Sequence, residues 1–251
     1  MPPRTFPPTR YGIWCGILGT PRWAAWGGEP RFRLPQQTTV GAEVSLFWRY
    51  EQFLRRKESE FNTLIGVSGC VFAMRRELAE PLRDDLIEDF VYPLKVASKG
   101  YRVVYEKEAG AYEETTLTGD QEFQRKTRIV VGGINALWHM RSLLNPFRHP
   151  LLTFQLFSHK ICRWLTPFFL ATLFISTMVL IFRDPLFMPL GTAMIAFAAC
   201  SGIGSWFHTR RSLPRLFKVP YYFVLINLAV LAGIYQYIAG ERRVIWEPIR
   251  S

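Results

Sequence analysis

Apolar and polar positions change texture along this chain, and each texture predicts a different kind of structure. Residues 1–40 hold no sustained period of two or of about 3.6, and Pro, Gly, Arg and Trp interrupt every run. They read as a poorly specified N-terminal segment with no placed element. From Gly41 a helical stripe emerges: Val44, Leu46, Phe47, Tyr50, Phe53 and Leu54 recur among Arg, Glu and Gln over 42–57. Glu51 precedes Arg55 by one helical turn, the favourable order for an ion pair along a helix. The apolar run Leu64–Met74 reads as strand-like and is broken by Gly66 and Gly69. Glycine there marks either a turn or bulge, or a place where a ligand approaches the backbone.

Further on, Leu86, Phe90, Leu94 and Val96 supply the buried stripe of a helix over 84–98, with Asp84, Asp85, Glu88 and Asp89 crowding its first turn. Gly100 closes it, and Tyr101–Tyr105 alternates as a strand. An acidic loop over 106–114 leads to Asp120-Gln121-Glu122-Phe123, which caps a helix carrying Arg125, Lys126 and Arg128.

The pattern then turns apolar. Trp164–Phe182, Pro185–Phe207 and Val219–Gly240 contain no Asp, Glu, Lys or Arg. At about 1.5 Å per helical residue each is long enough to cross a hydrocarbon core of roughly 30 Å. Arg183-Asp184 makes a tight hairpin between the first two, and the loop from His208 to Lys218 carries Arg210, Arg211, Arg215 and Lys218. Positive loops stay on the cytoplasmic side, which places the polar middle of the chain there too. Just upstream, Pro150–Ile161 mixes Leu151, Leu152, Phe154, Leu156 and Phe157 with His159 and Lys160, the pattern of a helix lying in the interface. His159 is assigned to that interface rather than to catalysis. The organisation predicted is thus 1–40 unplaced, 41–147 a cytoplasmic domain, 148–163 an interfacial helix, 164–240 three transmembrane helices and 241–251 a tail. Three crossings leave the tail outside, against the basic pair Arg242-Arg243, so its side stays open.

Charge sharpens this division. The net +11 is unevenly spread: residues 1–40 hold five basic and one acidic residue, 41–145 hold 15 and 16, and 146–251 hold 11 and 3. A nucleic-acid footprint needs a basic face on the soluble part, and the middle has none in net terms, so nucleic acid is not expected as a partner. The lipid bilayer is. Cys15, Cys70, Cys162 and Cys200 show no C-x-x-C pair and read as buried thiols of a reducing compartment.

Two clusters carry candidate chemistry. Asp84, Asp85, Glu88 and Asp89 exceed what a helix start requires, and Asp85 with Asp89 falls on one face. Like charges so placed call for a cation, a substrate hydroxyl or a basic partner. Arg125, Lys126 and Arg128 oppose the dipole of the helix they open, an arrangement that a diphosphate neighbour makes favourable.

These pieces, in order, resemble the C-terminal portion of bacterial membrane-bound family 2 glycosyltransferases, the group of cellulose, hyaluronan and poly-N-acetylglucosamine synthases. The resemblance rests on Phe47-Trp48-Arg49-Tyr50-Glu51, Val67–Arg76, Glu88-Asp89, Gly100–Tyr105, Arg125–Ile129, and Ser158-His159-Lys160 with Arg163-Trp164-Leu165, and covers roughly residues 28 to 251. It implies a mixed α/β, GT-A-like, partial nucleotide-sugar transferase domain, followed by an interfacial helix and an all-α transmembrane region of the bacterial inner membrane.

By that resemblance Asp89, in the place of the Asp of the family's T-E-D motif, is the general base, and Glu88 its neighbour. Arg125 and Arg128 fall on the Q-x-x-R-W motif, here R-x-x-R-I, and with Ser68 and Gly69 are the implied substrate-binding residues. The implied reaction is inverting transfer from a nucleotide sugar, a UDP-sugar, to a glycan acceptor. The full-length family implies Mg²⁺ or Mn²⁺ held by a D-x-D motif, but no D-x-D occurs in this chain, so no metal ligand is assigned. The N-terminal donor-binding half is missing from the match. A reading frame truncated or shifted near its start is the expectation, with the missing motif encoded upstream in another frame. The competing reading is a non-catalytic membrane anchoring or interaction protein derived from such an enzyme.

Overall fold

The computed structural model describes residues 23–33, 41–114, 118–207 and 214–241. Most of the basic loop before the last apolar stretch, residues 208–213, and the pair Arg242-Arg243 lie outside these residues. The polar domain is built on a mixed three-stranded sheet in the order β2-β1-β3. Strand β1 (Trp23–Arg33) runs antiparallel to β2 (Phe72–Met74) and parallel to β3 (Arg102–Glu114), so that Trp26 stands opposite both Ala73 and Val104.

The central strand falls inside the segment 1–40 where the sequence pattern predicts no element. Consecutive residues Ala24 to Gly28 are all buried, because both faces of the sheet are covered, and a strand covered on both faces shows no polar alternation. Ala24 and Ala25 pack with Leu64, Val67, Leu78, Val96 and Val103, while Trp26 packs with Val71, Ala109 and Ala111. At Gly28 the pairing with β3 shifts register, and a Cβ there would stand 2.1 Å from the Ala109 carbonyl oxygen. β3 is also longer than the strand expected over 101–105; its continuation pairs with β1 through the span expected to be an acidic loop.

Helix α1 (Gly41–Phe61) covers the predicted stripe and extends it by a turn. Helix α2 spans Glu88–Ser98, not 84–98. Asp84 and Asp85 therefore precede the helix, and Asp85 does not share a helical face with Asp89. Asp85 is bound by Arg83, at 3.0 and 2.8 Å, and by the Asn135 amide at 3.1 Å, which supplies the positive and polar partners that its charge requires. Helix α3 (Gly119–His139) starts at an N-cap on Thr118 with a reciprocal capping box to Gln121. Phe90, Val91 and Leu94 of α2 meet Ala136 and Leu137 of α3 in a second core, closed by Ile65, Leu86, Leu143, Leu152 and Leu156. Each of the Leu, Ile, Val and Phe side chains contributes about 1.5–3 kcal/mol on burial.

Leu152 and Leu156 belong to α4 (Pro150–Leu156), which passes through a π-helical turn (Phe157–Ile161) into α5 (Cys162–Ile181). The interfacial segment expected over 148–163 is thus continuous with the first long apolar helix. Helices α6 (Met188–Trp206) and α7 (Arg215–Ile238) complete the chain. Three helical stretches, Pro150–Ile181, Pro185–Trp206 and Leu216–Ile238, are long and apolar enough to cross a membrane. Their outward faces expose Phe169, Ile175, Val179 and Ile195. Helix α7 also runs parallel to α3: the Tyr222 hydroxyl donates to Glu122 at 3.0 Å, the Thr127 hydroxyl to the Ala229 carbonyl at 3.4 Å, and Gly233 lies against Val130.

Candidate functional site

Asp89 sits in the first turn of α2, where its backbone carbonyl accepts the Val67 N–H at 2.9 Å. That bond pins the helix start to the loop carrying Gly66, Ser68 and Gly69. A Cβ on Gly69 would stand 3.7 Å from Asp89 Oδ2, and one on Gly66 3.9 Å from the Asp89 carbonyl oxygen. The glycines therefore border the carboxyl on one side, and the absence of side chains leaves its edge approachable. Ser68 is buried, its hydroxyl 3.0 Å from Cys70 Sγ and its carbonyl accepting the Val71 N–H at 3.1 Å, so its role is to shape this loop. Burial pushes the Asp89 carboxyl above the ordinary range, while Lys160 and Arg55 pull it back in part. A carboxylate with that history is a stronger base than an exposed one. Glu88 is exposed beside it and adds to the upward push.

The basic cluster is more occupied than its sequence suggests. Arg125 directs Nε and Nη2 at the two oxygens of Glu122, at 2.8 and 3.1 Å. Its guanidinium carbon also lies 5.8 Å from the Trp48 ring centroid, and Arg55 lies 5.7 Å from the same ring. Trp48 thereby joins the helix bearing Arg125 to the arginine whose charge reaches Asp89. Arg128 is on the next turn of α3, half-buried. The structure thus gathers Asp89, Ser68 and Gly69 into one loop-and-helix junction, while Arg125 is held on α3 by Glu122 and against the Trp48 ring.

Glu122 is fully buried, with Lys126 at 3.6 Å and the Tyr222 hydroxyl on Oε1. Burial pushes its carboxyl up, but Lys126, Arg125 and Tyr222 outweigh that and hold it below the ordinary range. Lys126, 3.8 Å from the Phe47 ring centroid, is pushed by burial down to about 7, against the pull of Glu122.

A second constellation was not assigned chemistry from sequence. Glu51 accepts from Arg163 at 2.8 Å and lies 3.4 Å from His159 Nε2; His159 Nδ1 is paired with Glu58. Glu51 is therefore bound to the membrane-proximal helix, rather than forming the expected pair with Arg55. His159 is likewise turned to the domain, its side chain only 10% exposed, rather than lying free in the interface. Burial pushes the Glu51 carboxyl up, but His159 and Arg163 hold it well below the ordinary range. The signal for this cluster was present in Phe47–Glu51 and in Ser158–Lys160 with Arg163, two motifs read separately and about a hundred residues apart, whose meeting requires the fold.

Among the described residues no group of three or more His, Cys, Asp and Glu side chains converges as a metal cage. Among the described residues, Asp89 and Glu88 are the acids at this junction, and these two by themselves do not fit a divalent cation site.

Compared with known protein families, residues 42–235 match the one described as Glycosyl transferase family group 2. No curated protein matches the chain.

Proposed function

The chain belongs to the glycosyl transferase family group 2, and from that premise we propose that it transfers a sugar from a nucleotide donor, a UDP-sugar, to a glycan acceptor at the membrane surface with inversion. The observation that carries this reading is the placement of Asp89: a carboxyl made more basic by burial, bordered by bare glycine backbone. Asp89 takes the proton of the acceptor hydroxyl, which is a poor nucleophile until a positioned base removes it. The freed oxygen pair bonds to the anomeric carbon from the face opposite the departing diphosphate. The bond from that carbon to the diphosphate oxygen breaks, and the leaving nucleoside diphosphate carries away the electron pair. Arg128, with Arg125 beside it, faces the charge that develops there; a planar guanidinium fork matches phosphate oxygens and stays protonated. Glu88 flanks the base, and the Ser68–Gly69 loop backs the acceptor.

The long apolar helices hold this domain against the bilayer, and the basic loop before α7 argues for a cytoplasmic face at the inner membrane of a bacterium. The Tyr222 hydroxyl on Glu122 ties α7 to the helix that carries Arg125 and Lys126.

Calorimetric titration of UDP into the purified protein in nanodiscs, run with and without Mn²⁺, tests the proposal. Saturable binding that Arg128→Ala abolishes is the expected result; no heat from the wild-type protein, or heat unchanged by Arg128→Ala, overturns it. The second reading, a non-catalytic membrane anchoring or interaction protein derived from such an enzyme, draws on the pairing of Arg125 with Glu122. It calls for the opposite result in the same titration.

A further inference from the structure

Helix α7 is bound along most of its length to the polar domain, which sets it apart from the other long apolar helices. Of its most apolar stretch 33% is buried in the fold, against 11% for each of the other two. In order along α3, Gly119, Glu122, Thr127 and Val130 meet Tyr221, Tyr222, Ala229 and Gly233 of α7. The two helices run side by side, and α3 brings Asp120, Arg125, Lys126 and Arg128 with it. A crossing by α7 would carry those charges into hydrocarbon, where they are costly. The two ends of α7 show where it lies instead. Gly233 is about 27 Å along α7 from its first residue, and a Cβ on it would stand 2.8 Å from Val130. One turn further along α3, the Trp164 ring lies 2.8 Å from where a Cβ on Gly133 would stand. Trp164 belongs to the first turn of α5, where that helix leaves the domain. At its other end α7 meets α6: the Phe217 carbonyl oxygen lies 2.5 Å from where a Cβ on Gly204, near the end of α6, would stand. Gly191 of α6 packs on Met178 and Ile181 of α5, so these two helices form a hairpin and the end of α6 returns to the face where α5 began. Both ends of α7 are thus at one face of the membrane.

We propose that α7 lies in the plane of the membrane surface on the side of the domain, as a platform under α3, and that the chain crosses the bilayer twice, through α5 and α6, rather than three times. The partner of its free face is lipid. Phe223, Leu228, Leu231, Tyr235 and Ile238 are exposed, while Tyr222, Leu225, Ala229 and Gly233 are buried on the side of α3. That exposed surface continues the apolar flanks of α5 and α6, and a helix so faced sinks about 5–10 Å into the boundary between headgroups and acyl chains. The Phe223 ring agrees with this depth. It meets Phe197 edge-on at 5.7 Å, and Phe197 lies about 10 Å down α6 from Gly204. The charges flanking α7 agree as well. Arg215 and Lys218 at its start and Arg242-Arg243 just past its end in the sequence all fall on the side of the domain, where positive residues are retained. A third crossing would send the second pair to the far side. Length and composition match a span because the second face of α7 is covered by α3 and not by water. The proposal stands whether or not the protein transfers sugar.

The test reads the side of the membrane on which α7 ends, with the full chain expressed in bacterial membranes. Glu241→Cys places a thiol at the exposed end of α7; Glu77→Cys marks the domain, and Arg183→Cys marks the hairpin between α5 and α6 on the far side. A membrane-impermeant maleimide is added to spheroplasts before or after permeabilisation, and the labelled peptides are quantified by mass spectrometry. Glu241→Cys is expected to be protected until permeabilisation, as Glu77→Cys is, while Arg183→Cys reacts from outside. Labelling of Glu241→Cys from outside to the extent of Arg183→Cys overturns the proposal. Should the thiol at 241 stay unreactive on both sides, or the variant not fold, immersion depth decides. Spin labels are placed at Leu228→Cys and Tyr235→Cys, seven residues apart on one face of α7, in a chain whose Cys15, Cys70, Cys162 and Cys200 are replaced by Ser. In nanodiscs an in-plane helix holds the two labels at the same depth, and a crossing helix separates them by about 10 Å. A separation of that size overturns the proposal.

Discussion

Replacing Glu122 by Ala exposes how much of the domain depends on one buried carboxylate. Glu122 is fully buried and is met by Arg125 at 2.8 and 3.1 Å, Lys126 at 3.6 Å and the Tyr222 hydroxyl at 3.0 Å. Removing one partner of a buried ion pair costs about 3–5 kcal/mol, because the remaining charge keeps its desolvation penalty and loses its compensation. Two features limit the cost here. Lys126 already sits at about 7, and without Glu122 it falls further, so near neutral pH it sheds its proton instead of remaining buried and charged. Arg125 cannot do so, but it is half-buried and keeps the Trp48 face. About 3 kcal/mol remains as the expected loss, which lowers the apparent unfolding midpoint by roughly 6–12 °C for a chain of this size. The pH dependence has a definite sign. Lys126 is depressed in the fold, so it burdens the variant only where it is protonated, and Glu122→Ala loses more at about pH 6 than at about pH 8. Intrinsic fluorescence on heating, with the protein in nanodiscs, measures both values. In a double-mutant cycle with Tyr222→Phe, the pair couples by about 0.5–3 kcal/mol. A midpoint within about 2 °C of wild type for Glu122→Ala at both pH values refutes the reasoning.

Other expectations follow from the same contacts. Asp89→Asn lowers sugar transfer by about 10²–10⁴-fold in a radiolabelled-donor assay, the usual worth of a general base, while raising the thermal midpoint. The folded-state carboxyl of Asp89 is raised by burial, so its contribution to stability is full below the unfolded value and is lost as pH rises through the folded one; the gain from Asn is therefore larger at neutral pH than in acid. A variant no more stable than wild type at neutral pH contradicts this. Gly28→Ala drives a Cβ to 2.1 Å from a backbone oxygen of β3, which must move, and costs more than about 2 kcal/mol by chemical denaturation. Unchanged stability in that variant would mean that β1 and β3 do not pair as described.

Several elements were legible from pattern alone, and one acidic cluster was not. Helix α1 and the apolar helices declare themselves because an amphipathic stripe, or its replacement by an unbroken apolar run, is a local property of the chain. The start of α3 was legible only approximately: the cap expected at Asp120–Phe123 falls inside the helix, whose N-cap is Thr118, paired reciprocally with Gln121. Asp84 and Asp85, by contrast, look like a helix start and lie before it, since Asp85 is satisfied by Arg83 and by Asn135 from another helix. The strand β1 hides for a related reason: covered on both faces, it needs no alternation.

The linear order of residues by itself determined the division into a polar domain and long apolar helices, the acid-then-base succession, and Asp89 and Arg128 as the positions to examine. Periodicity, charge and motif spacing suffice for these because each is set within a few turns of chain. Only the tertiary structure decided that Arg125 is bound by Glu122, that Glu51 answers Arg163 and His159 instead of Arg55, and that Lys160 lies over the Phe90 ring. Those pairings join groups distant in sequence, and electrostatic strength depends on separation and burial in space, quantities that no local pattern contains.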